Sequence, residues 1–196
     1  MPEQELFYSP DSLLARFFSA EENTCNLLLV TGESGSGKTT WCRALIERAR
    51  ARGISPSGLI SPAVFEAGKK VAIELIDISH DTRMVLAIRP DHYPTPEFQP
   101  KGSLNWLFNN QALAWGNNIL QSLPQSDLLI LDELGPLELL EHDGLINGLK
   151  LIDERRHRLA CVVVRPSLLA TAKGRWPWGH VVNISANRPV ATKVKS

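Results

Sequence analysis

Cysteine is scarce in this chain: three thiols in 196 residues, Cys25, Cys42 and Cys161, lie far apart and never form a C-x-x-C pair. That argues against a disulfide framework and offers no zinc-ligand spacing, so reduced thiols in a cytoplasmic protein are expected. Excess charge of either sign is lacking too. With 21 basic residues balancing 21 acidic ones, no overall field draws the chain to nucleic acid or anionic lipid, and no nucleic-acid partner is expected. Long apolar runs are missing, and the start Met1-Pro2-Glu3-Gln4-Glu5 is acidic where a signal peptide would be basic. No membrane association is expected. A length of 196 residues suits one α/β domain and is short for two.

What the chain does have is a purposeful set of glycines. Gly32-Glu33-Ser34-Gly35-Ser36-Gly37-Lys38-Thr39 reads G-x-x-x-x-G-K-T, with Thr40 directly after it. Glycines at this spacing let the backbone curl until successive N–H groups converge on phosphate oxygens, and the start of a following helix adds partial positive charge. Lys38 is then placed to reach β- and γ-phosphates, and Thr39 to ligate magnesium. The context agrees: Asn26-Leu27-Leu28-Leu29-Val30-Thr31 has buried-strand length, and Trp41, Leu45, Ile46 and Ala49 fall at helical spacing. A glycine-rich turn between two core elements would not require a lysine and a hydroxyl after its last glycine.

Asp127-Leu128-Leu129-Ile130-Leu131-Asp132-Glu133 is the second informative stretch, an apolar strand ending in two acids. Apolar residues at every position suit a strand buried on both faces, and Asp132 then arrives at the sheet's C-terminal edge, where phosphates sit. This is a Walker-B pattern. Asp132 is expected to hold magnesium, mainly through water. Glu133 points differently and is the candidate general base for an attacking water. Leu159 to Val164 is a further buried strand, and Arg165 directly after it is placed as a γ-phosphate sensor.

Around these motifs the chain reads as follows. Ser9-Pro10-Asp11 opens a short helix whose Leu13, Leu14, Phe17 and Phe18 form one apolar stripe, facing the main domain or, alternatively, a protein partner. Two strand-like runs, 58–65 and 71–78, joined by Glu66-Ala67-Gly68-Lys69-Lys70, read as a β-hairpin that a third run, 84–88, extends. A helix is expected from Asn110 to Leu123, with Trp106 and Trp115 in the core. Another is expected to begin near Leu134 and continue to about His157, and Glu138 on it reads equally well as an acid complementing the helix dipole or as a second carboxylate facing nucleotide. Arg155-Arg156-His157-Arg158 reads as a cationic helix end rather than an arginine finger. After the last strand, Val181 to Ile184, the loop with Asn187 and Arg188 is placed by analogy near base and ribose.

Several of these blocks, at their separations, resemble the THEP-type nucleoside-triphosphatases. The resemblance rests on Thr31-Gly32 through Thr39-Thr40, Gly58-Leu59-Ile60-Ser61 with Ala67-Gly68-Lys69-Lys70, Leu131-Asp132-Glu133-Leu134-Gly135-Pro136-Leu137-Glu138, and Asn187-Arg188. It implies magnesium-dependent hydrolysis of ATP, GTP, CTP and UTP with little base preference. Departures are Pro62, where a glutamate is common, and Val71-Ala72-Ile73 in place of a glycine-phenylalanine pair.

The expected architecture is an α/β P-loop NTPase of RecA-like arrangement: a three-layer sandwich with a mostly parallel sheet and an antiparallel hairpin at one edge. An acid directly after the Walker-B aspartate predicts that the strand ending at Arg165 lies between the two motif strands. Residues 1–24 read as an N-terminal extension that offers a surface for a protein partner, 25–190 as the NTPase domain and 191–196 as a flexible tail. Two other functions fit the same motifs. One is a nucleoside or nucleotide kinase using the loop from Arg89 to Pro100 as a lid; the other is an ATP-binding regulatory or assembly module with slow hydrolysis.

Overall fold

Runs of leucine and valine with no polar interruption can be strands only if both faces are covered. In the computed structural model, which describes residues 9–18, 26–92, 94–101 and 105–185, such runs build the centre of the sheet. The elements, in chain order, begin with α1 (Pro10–Phe18), β1 (Asn26–Thr31), α2 (Lys38–Ala51), β2 (Pro56–Ile60), β3 (Ala63–Glu66), β4 (Lys69–Asp77) and β5 (Arg83–Ile88). They continue with β6 (Phe98–Pro100), β7 (Leu107–Asn109), α3 (Asn110–Ser122), β8 (Leu128–Leu131), α4 (Pro136–Leu139) and α5 (Ile146–Asp153). The last are β9 (Leu159–Val163), a single 3-10 turn (Pro166–Leu168), α6 (Leu169–Arg175) and β10 (His180–Asn183).

Strand order along the sheet is β10-β1-β9-β8-β2-β4-β5-β7-β6, with β3 paired to β4 beside it. The first five run parallel. β9 therefore sits between β1 and β8, as the paired acids predict. Val30 pairs with Val163 and Leu131 with Val162, so the three strands end nearly level. The glycine loop, Asp132 with Glu133, and Arg165 all emerge at that common edge. Beyond β2 the pairing becomes antiparallel, and the edge hairpin grows into a wing of β3, β4, β5, β7 and β6.

Alternation along the strands divides the core in two. Leu28, Val30, Ile130 and Cys161 face α1 and α2, while Leu27, Leu29, Leu129 and Val162 face α3, α5 and α6. This is the three-layer arrangement of helices on both faces of a sheet. Helix α1 is part of it, because Leu13 and Leu14 are fully buried and Asp11 forms ion pairs with Arg48 and Arg52 of α2. Its apolar stripe is thus spent on the domain itself.

Two expectations are corrected here. The helix expected from Leu134 to His157 is two helices, α4 and α5, because Glu141-His142-Asp143-Gly144 has turn chemistry, with φ of 53° at His142 and 74° at Gly144. The cluster Arg155 to Arg158 consequently lies beyond the end of α5, not within its last turn. It leads into the start of β9, at the end of the sheet opposite the phosphate edge, and Arg155 stacks 3.5 Å from the ring centroid of Trp178. No member of that cluster is an arginine finger in cis. The loop from Arg89 to Pro100 is anchored too, since its end forms β6 and pairs with β7. Asn187, Arg188, Tyr93, Cys25 and most of the proposed extension and tail lie outside the described residues.

Candidate nucleotide-binding and catalytic site

The loop after β1 is shaped by what cannot fit beside it. At Gly32, φ is 149° and a Cβ would stand 2.2 Å from the carbonyl oxygen of Ile184. Only glycine lets the loop pass this close to the chain leaving β10. The turn is closed by Ser36 N–H donating to Glu33 O at 3.1 Å, and α2 begins with Trp41 N–H donating to Gly37 O at 2.8 Å. Gly37 provides no side-chain cap. The first N–H groups of α2 are therefore free of a side-chain acceptor and aim into the loop, where an anion would complete them. Lys38 extends back across the same concavity, donating to Gly32 O at 2.7 Å and Glu33 O at 2.8 Å.

Asp132, one residue past β8, is buried at 4% exposure. Its Oδ2 accepts from Ser61 N–H at 3.3 Å, and Thr39 donates its hydroxyl to the same carboxylate. Burial is the main influence and pushes its pKa up to about 6, against those two hydrogen bonds. Nearby hydroxyls are left wanting: Ser36 Oγ, Ser61 Oγ and Thr31 Oγ1 are buried with no partner. An all-oxygen set of Thr39 hydroxyl and Asp132 carboxylate, beside orphaned hydroxyls, fits a small hard cation that keeps several waters. Among the described residues there is no cluster of three or more His, Cys, Asp or Glu that could hold a metal.

Glu133 is half-buried and ion-paired with the Arg165 guanidinium, which donates from Nε to Oε1. Glu138, whose role the sequence left open, is a buried structural carboxylate. Its two oxygens accept from Gly135 N–H and Leu145 N–H, each at 2.8 Å, tying α4 to the start of α5, while burial raises its pKa. A cavity of about 60 Å³ opens beside it, bordered by Ser61, Ile73, Phe108, Glu133 and Arg165.

The structure thus brings Gly32 through Thr39, Asp132, Glu133 and Arg165 to one edge. Thr40 lies in the first turn of α2 and is exposed. Sequence reasoning missed one contributor, Ser61, whose N–H donates to Asp132. Its block carried the resemblance, but no spacing rule places the start of a hairpin against an acid 71 residues later in the chain.

A strand, a glycine loop gripping a helix start, and an acid pair two strands away define a P-loop nucleotide-binding protein with the RecA-like strand order. A family model described as NTPase matches residues 27–174, and the chain belongs to that family. It is 28% identical over 112 residues to nucleoside-triphosphatase THEP1 of Methanopyrus kandleri, covering 57% of this chain and 59% of that one. With the namesake of Methanothermobacter thermautotrophicus the identity is 30% over 112 residues, covering 57% and 62%. The chain thus spans about three fifths of the length of these curated relatives. The match to THEP1 of Thermofilum pendens is longer, 27% over 154 residues, covering 78% and 82%. Among solved structures, a human cancer-related nucleoside triphosphatase superposes with a TM-score of 0.62 at 17% identity, covering 83% of this chain and 90% of that one. THEP1 of Aquifex aeolicus gives 0.58 at 16% identity, covering 82% and 90%. These two likenesses support the fold alone.

Proposed function

We propose that this chain hydrolyses nucleoside 5'-triphosphates to the diphosphate and phosphate, with broad tolerance of the base. The observation that carries this reading is the pair Asp132 and Glu133: one carboxylate is buried against Thr39, and the next is half-buried at the same edge, held by Arg165. Loop N–H groups and Lys38 bind the β- and γ-phosphates, whatever the base. Thr39 and Asp132 would hold magnesium. The chemistry that ion supplies when bound is neutralisation of charge on the phosphate oxygens. Glu133 orients a water on the γ-phosphorus and accepts its proton, and Arg165 fixes the direction in which that carboxylate points. As the bridging oxygen takes up negative charge, the loop N–H groups and Lys38 stabilise it. Asn187 and Arg188 remain our candidates for ribose or base contacts.

A reducing, cytoplasmic setting accords with Cys42 and Cys161, which are free, buried and inert, since burial pushes both thiols up. Among the described residues no helix is long and apolar enough to cross a membrane.

The test is phosphate release from ATP, GTP, CTP and UTP with magnesium, comparing the wild type with Glu133→Gln and Lys38→Ala. Comparable turnover of all four, reduced at least about a hundredfold by either change, is expected. Tight nucleotide binding by the wild type without phosphate release would overturn hydrolysis and point to an acceptor other than water.

A further inference from the structure

The antiparallel wing brings a second lysine to the catalytic edge. Strand β4 runs against β2, with Asp77 level with Leu59 and Ile76 with Ile60. Its first half, from Lys69 onward, consequently projects past the C-terminal ends of the parallel strands, over the edge that carries the loop and both acids. This projection is built, not floppy. Ala67 and Gly68, at φ 47° and 77°, close a two-residue turn of the kind whose twist matches its flanking strands. Below it, Glu74 N–H donates to Pro62 O at 3.0 Å, and Ser61, where the hairpin leaves β2, is itself bonded to Asp132.

Lys70 sits one residue up from the start of β4, opposite Phe65. Its Nζ lies 5.1 Å from the ring centroid of Trp106, a half-buried residue packed on the core. The lysine as a whole is exposed, yet its ammonium end is enclosed enough that burial lowers its pKa. The charges it senses there are Glu133, Arg165, Asp132 and Lys38, four groups of the proposed phosphate site. Among the described residues Lys70 has no ion-pair partner, whereas Arg165, the cation expected to read the γ-phosphate, is joined to Glu133. A contact with an aromatic face is weak beside a charge-assisted bond to phosphate, so a triphosphate would take Lys70 from Trp106 without difficulty.

We propose that Lys70 is the cation that grips the γ-phosphate, delivered by the β3–β4 hairpin, while Arg165 stays with Glu133 and keeps the base aligned. The assignment rests on the triphosphatase reading but makes a separable claim. A group that touches only the terminal phosphate distinguishes tri- from diphosphate.

The experiment measures binding of ADP and of the β,γ-imido analogue of ATP, with magnesium, to the full chain and to Lys70→Ala, Lys70→Arg and Trp106→Phe. Lys70→Ala is expected to weaken the analogue about ten- to a hundredfold, the range of one charge-assisted hydrogen bond, and to leave ADP unchanged. Lys70→Arg restores most of the difference. Trp106→Phe leaves the analogue-to-ADP ratio as it was, because the lysine is still delivered. If Lys70→Ala weakens both nucleotides equally, or neither, Lys70 only packs the hairpin and the proposal fails. The outcome is read as a ratio on folded protein, so a loss of stability does not hide it. A wild type that binds but releases no phosphate would sink the hydrolase reading and leave the Lys70 ratio readable.

Discussion

Glu133 and Arg165, each standing just past the end of its own strand, meet across the gap between β8 and β9 in a hydrogen-bonded ion pair. Both are partly exposed, so the pair contributes little to folding. Its consequence is directional: one oxygen of the carboxylate is committed to Arg165, and the other is left for a water.

Removing the partner should therefore affect turnover more than binding. We expect Arg165→Ala to lower kcat by about ten- to a hundredfold with little change in KM. Combining it with Glu133→Gln should add almost nothing further, since both changes disable the same group. Steady-state phosphate release across the four proteins of this cycle checks it, and fully additive losses would separate the two residues.

Asp132 sets stability against chemistry. Its carboxyl, buried and pushed from 3.8 to about 6, binds a proton more tightly in the folded than in the unfolded protein. Such a group favours the fold below its unfolded pKa, and that contribution is lost as pH rises from 3.8 through about 6. The metal-free Asp132→Asn protein should then be more stable at neutral pH, by on the order of 3 kcal/mol, and should lose this part of the pH trend in urea unfolding. It should also fail to release phosphate.

Glu138 gives the opposite result on the same measurement. Its two oxygens satisfy two backbone N–H groups at the break between α4 and α5. Glu138→Ala leaves both donors without an acceptor in a buried place and should cost about 2–4 kcal/mol. Thermal or urea unfolding decides it. A loss below about 1 kcal/mol would mean that water replaces the carboxylate readily.

Helix α1 offers a clean contrast between core and surface. Leu13→Ala should destabilise the domain by about 2–4 kcal/mol through the cavity it leaves. Asp11→Ala, which removes exposed ion pairs to Arg48 and Arg52, should cost no more than about 1 kcal/mol. An unchanged melting temperature for Leu13→Ala would show that the helix does not hold the fold together.

The sequence made the phosphate edge legible because its parts are local. Glycines spaced around a turn, a lysine at a helix start and acids at a strand end carry their meaning within a few residues, and the acid after Asp132 even fixed the position of β9. The wing was another matter. Ser61 meets Asp132 because β2 lies in register beside β8, and Lys70 is carried by the register of β4 against β2; both are pairings between distant residues that no local pattern encodes. The break after Leu140 shows the same limit in reverse: apolar spacing suggested one helix, and the turn chemistry of His142 to Gly144 interrupted it. Glu138 could be assigned only once its two backbone donors were in view.

The strand order has a final consequence, which concerns distance. With β9 interposed, the loop of β1 and the acids of β8 stand two strand spacings apart, roughly 9–10 Å, and no hinge or loop sets that gap. The rigid pleat of the sheet works as a ruler, and Val162 and Val163, which touch no phosphate, are its graduations. Repacking them would leave the reach between lysine and glutamate as it is, because backbone hydrogen bonds on both sides of β9 hold it, so the core can change its side chains without moving any reacting group.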